Sequence, residues 1–229
     1  MHWSYGLTTT PSRKHDLLPA TLSSLQKAGF DNPRLFVDGV ESSSEYKEFG
    51  LPISVRTPNI RSYGNWILAL WELYARNAQA DRYALFQDDF VTYKNLKTYL
   101  EISPYPEKGY CNLYTFPKNQ RLIGDKLGWC KSDQLGKGAV ALVFNNEAVR
   151  LLLANQHTVD RLQNPKRGWR AIDGGVVTSL KNVGWREYVH NPSLVQHTGV
   201  HSSMGNRKHP LSESFLGEEF DAMELLDHE

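Results

Sequence analysis

Tyr83-Ala84-Leu85-Phe86-Gln87-Asp88-Asp89-Phe90-Val91 is the stretch on which the fold turns. An apolar run leads straight into two adjacent carboxylates, and two more apolar residues follow. The run reads as a buried strand. Paired carboxylates at its end repel each other and lose hydration unless a cation or hydrogen-bond donors neutralise them. Oxygen ligands of this kind suit hard divalent ions such as Mg2+ or Mn2+. Asp at a strand end also serves as a helix cap or turn residue, so the pair alone leaves both uses open.

Upstream, Trp3 to Thr9 reads as a first strand, broken by Pro11-Ser12-Arg13. Leu18, Leu22 and Leu25 recur at helical spacing as far as Ala28, and Gly29 gives a stop. Arg34 to Asp38 is a short strand closed by Gly39, residues 40–50 are a polar loop or weak helix, and Ile53-Ser54-Val55 is a further short strand. Gly64-Asn65 opens an amphipathic helix with Trp66, Leu70, Leu73 and Tyr74 on one face, ended by Asp81-Arg82. This β-α-β-α-β alternation predicts an α/β fold with a mostly parallel sheet. Right-handed crossovers bring the strand C-termini to one edge, where ligands of such sheets bind. Thr8-Thr9-Thr10, Asp38-Gly39 and Asp88-Asp89 all converge there.

The second half is less regular. Asn112 to Phe116 alternates like a strand, residues 124–138 read as a Gly- and Lys-rich loop, and Ala139 to Phe144 is a buried strand. A helix starts at Asn145-Asn146-Glu147 and runs through Leu153. Another starts at Asp173-Gly174-Gly175 with Val176, Val177 and Leu180 inward, and Trp185 to His190 is a last strand. From Pro192 onward periodicity is weak and the chain ends in an acidic tail. There is no internal repeat and no linker, which predicts a single domain.

The 229 residues suffice for a substantial core. A formal charge of +1 provides no global basic field for nucleic acid. Two cysteines, Cys111 and Cys130, are too few for a disulfide scaffold. No signal peptide is visible, and no apolar run approaches the roughly 20 residues of a membrane span. These features predict a soluble, cytoplasmic protein, or one trimmed of its anchor. Six Trp suit stacking on flat ligands or sugars, and equally a Trp-rich core.

Several residues are candidates for chemistry. Thr8, Thr9, Thr10 and Arg13 leave the first strand with hydroxyls and a guanidinium, which suit a nucleotide and a phosphate; a helix cap followed by Pro accounts for them as well. Neither a Gly-x-x-x-x-Gly-Lys nor a Gly-x-Gly-x-x-Gly pattern is present at this turn. Asp38 suits a base or ribose, or a simple Asp-Gly turn. Arg61 and Asn65 stand ahead of and within a helix start, where a pyrophosphate is favoured. His197 and His201, with Ser202 and Ser203, cluster after the last strand, and imidazole is a good Mn2+ ligand. Asp173, near Trp169, either caps its helix or deprotonates a hydroxyl within reach.

Taken together, these motifs resemble the glycosyltransferase-A fold. Gln87-Asp88-Asp89 is similar to that superfamily's Asp-x-Asp motif, with Gln in place of the first Asp. The closing segment, residues 192–203, is similar to the corresponding segment of the N-acetylglucosaminyltransferases that add β1,4 branches to N-glycans. The resemblance implies a single Rossmann-like domain: a nucleotide-binding half at 1–91, an acceptor and catalytic half at 92–205, and a tail at 206–229. It implies a UDP-sugar donor held through Mn2+ or Mg2+ and an acceptor hydroxyl on a glycan or other molecule. Asp89 would be the direct metal ligand and Asp88 a ribose or metal contact. His197 would be the C-terminal metal ligand, with His201 as the alternative. Ser202 and Ser203 would lie by the diphosphate, and Thr8, Thr9, Arg13 and Asp38 around the uridine. Arg13, Arg61 or a lysine of residues 118–137 would add positive charge there. Asp173 would be the base of an inverting transfer. A sugar-phosphate nucleotidyltransferase and a non-catalytic nucleotide-sugar-binding protein are the alternatives. The locally basic residues 118–137, with Arg161, Lys166, Arg167 and Arg170, suit an anionic glycan, modified DNA or plain solvent.

Overall fold

A computed structural model describes residues 1–158, 172–198 and 210–227. The strands are β1 (Trp3–Thr9), β2 (Arg34–Asp38), β3 (Ile53–Arg56), β4 (Arg82–Gln87), β5 (Phe90–Thr92), β6 (Gly109–Asn112), β7 (Gly128–Lys131), β8 (Ala141–Asn145), β9 (Arg186–Asn191) and β10 (Val195–His197). The described α-helices are α1 (Leu17–Lys27), α2 (Arg61–Arg76), α3 (Leu96–Ile102), α4 (Pro117–Ile123), α5 (Asn146–Ala154) and α6 (Ile172–Asn182).

Eight strands form one sheet in the order β3-β2-β1-β4-β8-β6-β9-β7, and β5 pairs with β10 in a small antiparallel sheet. β1, β2, β3 and β4 run parallel, as do β6 and β9; β8 runs against both its neighbours, and β7 against β9. The expected α/β architecture with a mostly parallel central sheet is therefore present. Period-two alternation along β4 divides the core. Ala84 and Phe86 face the cluster of Leu7, Leu18, Leu25 and Phe30, whereas Tyr83 and Leu85 face that of Trp66, Leu70, Phe144, Leu152, Val176 and Leu180. α1 covers one face of the sheet; α2, α5 and α6 cover the other.

Several elements depart from the sequence reading. α2 begins at Arg61 rather than Gly64, because the Asp38 carboxylate accepts the Ile60 amide across the sheet edge at 2.9 Å; it ends at Arg76, well before Asp81. The strand expected over 112–116 lies earlier, at Gly109–Asn112. Asn112 Oδ1 accepts the Tyr114 amide, a turn that ends it. The loop expected over 124–138 contains β7, a short edge strand too brief to show a period. α4 occupies part of the expected basic loop. β9 is not the last strand, since β10 follows it. Within residues 210–227, Ala222 and Leu225 are buried, and Phe215 stacks on Tyr93 with ring centroids 4.9 Å apart. Among the described residues no helix is long and apolar enough to cross a membrane.

Candidate active site at the sheet edge

β2, β1 and β4 are neighbours and parallel, so Asp38, Thr9 and Asp88 leave the same edge. After β1, Thr10 O accepts the Arg13 amide at 3.0 Å, and the resulting tight turn folds Arg13 back over that edge. Its Nη1 lies 2.5 Å from Asp88 Oδ1 and 2.7 Å from Asp89 Oδ2. Thr9 Oγ1 donates to Asp88 Oδ2 at 2.6 Å. Both carboxylates are 2% exposed. The neutralisation that the sequence demanded is thus supplied in part by a guanidinium and a hydroxyl. Burial raises Asp88 above the usual carboxylate range, Arg13 opposes this, and the charge of Asp89 adds to it. Burial works against the charge on Arg13, but Asp88 and Asp89 outweigh it and hold its pKa above the ordinary value.

His197 reaches this site through the small sheet. It stands opposite Phe90 in the β5–β10 ladder, and the Thr198 amide donates to Asp89 O at 2.8 Å. β5 is tied to α1, where Thr21 Oγ1 accepts from Phe90 N and Ser24 Oγ from Thr92 N. His197 Nε2 consequently lies 3.3 Å from Asp89 Oδ2. Asp89 Oδ1 is buried without a hydrogen-bond partner among the described residues. One orphaned carboxylate oxygen beside one imidazole fits two ligands of Mn2+. Among the described residues no group of three or more His, Cys, Asp or Glu side chains gathers at one point.

The other anticipated residues are distributed as follows. Asp38 is buried; Oδ1 accepts from Ile60 N, Oδ2 has no partner among the described residues, and burial raises its pKa. Asn65 donates from Nδ2 to Phe36 O at 2.9 Å while its buried Oδ1 has no partner among the described residues. Arg61 opens α2 with a φ of 66°. Thr8 Oγ1 donates to Phe86 O on β4, and Thr10 Oγ1 lies 3.1 Å from Ser12 Oγ. Gln87 does not face outward with the carboxylates: Nε2 donates to Ala139 O at 2.5 Å. Asp173 lies at the start of α6, where Oδ2 accepts from Gly138 N at 3.0 Å and Oδ1 from Gly174 N at 2.9 Å. His201, Ser202 and Ser203 lie outside the described residues, as do Trp169 and the basic residues Arg161, Lys166, Arg167 and Arg170. The remaining basic loop is partly self-neutralised, since Lys118 and Lys137 both approach Asp133.

Sequence reasoning missed three participants. Tyr46, within the expected polar loop, is buried, and its hydroxyl has no partner among the described residues; burial pushes it up to about 12, and the charge of Asp88 adds to the rise. Residues 138–140 connect the two acidic groups: Gly138 binds Asp173, and Ala139 and Val140 carbonyls accept from Gln87. Tyr114 sits between Gly138 and His197, with its ring centroid 6.5 Å from the imidazole. Only the spaced glycines at 136 and 138 hint at this in the sequence. A cleft of about 460 Å³ beside Asp81, Arg82 and Glu147 lies at the opposite end of β4 and contains none of these residues.

The whole chain is similar in fold to the solved structure of GalNAc-T7 with UDP, GalNAc and Mn2+. The TM-score is 0.60 at 10% identity, over 99% of this chain and 48% of that one. This chain therefore spans about half the length of that structure. A nucleoside-diphosphate-sugar pyrophosphorylase from Vibrio cholerae aligns over 85% of this chain and 94% of its own at a TM-score of 0.46 and 11% identity. No protein-family model and no curated protein sequence matches the chain. The likeness to GalNAc-T7 establishes a fold of the glycosyltransferase-A type.

Proposed function

We propose that this chain is a glycosyltransferase that moves a sugar from a UDP-sugar to an acceptor hydroxyl, assisted by Mn2+ or Mg2+. One observation carries the reading. Four of the ten buried side-chain polar atoms that have no partner among the described residues, Asp38 Oδ2, Tyr46 Oη, Asn65 Oδ1 and Asp89 Oδ1, belong to residues that follow or pack near β2 and β4. An unsatisfied buried polar atom costs about 1–3 kcal/mol, and native proteins keep few of them. A nucleotide supplies donors to the carboxyl and amide oxygens and an acceptor to the tyrosine. Arg13 brings positive charge to the same edge.

Asp89 and His197 would hold the metal, with His201 as the alternative and Ser202 and Ser203 by the diphosphate, as the motif resemblance implies. When bound, the ion neutralises the leaving diphosphate as a Lewis acid. Asp38 and Asn65 bind the nucleoside, Arg61 and Arg13 face the diphosphate, and Asp88 holds Arg13 or the ribose. Asp173, oriented by the Gly138 and Gly174 amides, takes the proton of the acceptor hydroxyl. Attack on the anomeric carbon opposite the leaving group then inverts its configuration.

The test is release of UDP from UDP-glucose, UDP-galactose and their N-acetyl forms with Mn2+ and a panel of hydroxyl acceptors. Release supports the reading. Diphosphate release from UTP and a sugar phosphate would replace it with nucleotidyl transfer, and binding without turnover with a non-catalytic module.

A further inference from the structure

Glu187, on β9, is a buried acid that the proposed reaction does not use. It is 1% exposed. Oε1 accepts from Tyr110 Oη at 3.0 Å and from Asn112 Nδ2 at 3.3 Å, while Oε2 is buried without a partner among the described residues. The same Asn112 Nδ2 donates to Lys137 O at 3.0 Å. The backbone of Glu187 is equally engaged. Its amide donates to Gln134 Oε1 at 3.0 Å, and its carbonyl accepts from Gln134 Nε2 at 2.8 Å and from Ser132 N at 3.1 Å. Residues 132–138 are thus wrapped around this one residue. The loop ends on Gly138, whose amide donates to Asp173 Oδ2. Gly136 packs on the Asp173 carbonyl with a φ of 67°, a fit and a conformation that no other residue matches without strain.

We propose that Glu187 is a positioning residue for Asp173: it fixes Asn112 and the 132–138 loop, and the loop holds the Asp173 carboxylate through the Gly138 amide. The link to turnover rests on the function proposed above; the link to Asp173 geometry does not.

Below about pH 7 the side chain is a neutral acid. Burial pushes Glu187 up to about 7 against the hydrogen bonds of Ser132, Tyr110 and Asn112, and the charge of Asp173 pushes the same way as burial. Among the described residues, the titratable groups that act on it are Tyr110 from β6, by a hydrogen bond, and Asp173 from α6, by its charge. In the loop, Asp133 and Lys137 pair with each other at 2.8 Å. Ionisation therefore places a second negative charge near Asp173 and loosens the loop.

The experiment is amide NMR of the intact chain between pH 5.5 and 8.5, in the native sequence and in Glu187→Gln. The Gly138 amide is expected to titrate with a midpoint near 7 in the native chain and to lose that transition in Glu187→Gln. In parallel, Glu187→Ala lowers kcat for UDP release at least tenfold while KM for the UDP-sugar stays within twofold, and Glu187→Gln removes the inflection of kcat near neutrality. A Gly138 amide that does not move in the native chain, or moves equally in Glu187→Gln, overturns the proposal without requiring any variant that risks misfolding. If the native chain releases no UDP from any sugar donor, the glycosyltransfer reading fails, and the Gly138 titration still decides the role of Glu187.

Discussion

His197 Nε2 lies 3.3 Å from Asp89 Oδ2, although 108 positions separate them in the chain. The β5–β10 ladder makes this meeting obligatory, because His197 faces Phe90, the residue after Asp89. Replacing Asp89 with Ala removes the orphaned carboxylate and is expected to abolish metal-dependent UDP binding. His197→Ala is expected to weaken it about tenfold or more, the scale of losing one supporting metal contact. Calorimetry of UDP with and without Mn2+ measures both; unchanged affinity in Asp89→Ala refutes the ligand assignment.

Arg13 bridges two buried carboxylates with one nitrogen. Truncating one partner of a buried ion pair costs about 3–5 kcal/mol, because the other charge stays buried and unpaired. Arg13→Ala is therefore expected to lower urea stability by about that amount, and Arg13→Lys by less. A loss below about 1 kcal/mol would mean that the pair is solvated.

Asp173→Asn keeps a carbonyl oxygen for the Gly138 amide but removes the base. General-base catalysis contributes about 10²–10⁴ in rate. kcat for transfer is expected to fall by that factor with little change in donor affinity, and full retention of transfer in a folded variant would refute the role.

The contribution of Glu187 to stability should fall as pH rises from about 4.5 to about 7. Glu187 has a folded value raised from an ordinary 4.5 to about 7. The native state thus binds its proton more tightly than the unfolded chain does. The stabilisation is fully present below the unfolded value and is lost as pH rises to the folded one. At ~1.4 kcal/mol per unit this amounts to about 3 kcal/mol across the window. Denaturation curves at pH 5, 6, 7 and 8 measure it, and Glu187→Gln should flatten that part of the profile.

Gly138 has a φ of 72°, and a Cβ there would overlap the Tyr114 ring. Gly138→Ala is expected to cost more than the roughly 1 kcal/mol of backbone strain alone, since the ring must also move. Thermal unfolding measures the cost, and a neutral substitution would show that the loop adapts freely.

The sequence by itself determined the alternation of strands and helices over residues 3–91, the edge on which Thr9, Asp38 and Asp88 emerge, and the buried strand that carries the carboxylates. These follow from local periodicity and from chain handedness, which act within a few tens of residues. Only the tertiary structure decided who neutralises whom. Arg13 meets Asp88 from 75 positions away, Gly138 meets Asp173 from 35, and Gln134 meets Glu187 from 53. β7 and β10 were illegible because strands of three or four residues leave no measurable period and exist only through their partners. Glu187 falls within the strand expected over Trp185 to His190, and nothing local in the sequence marks it. Its raised pKa comes from burial under a loop that returns from elsewhere, a property of packing that no local pattern encodes.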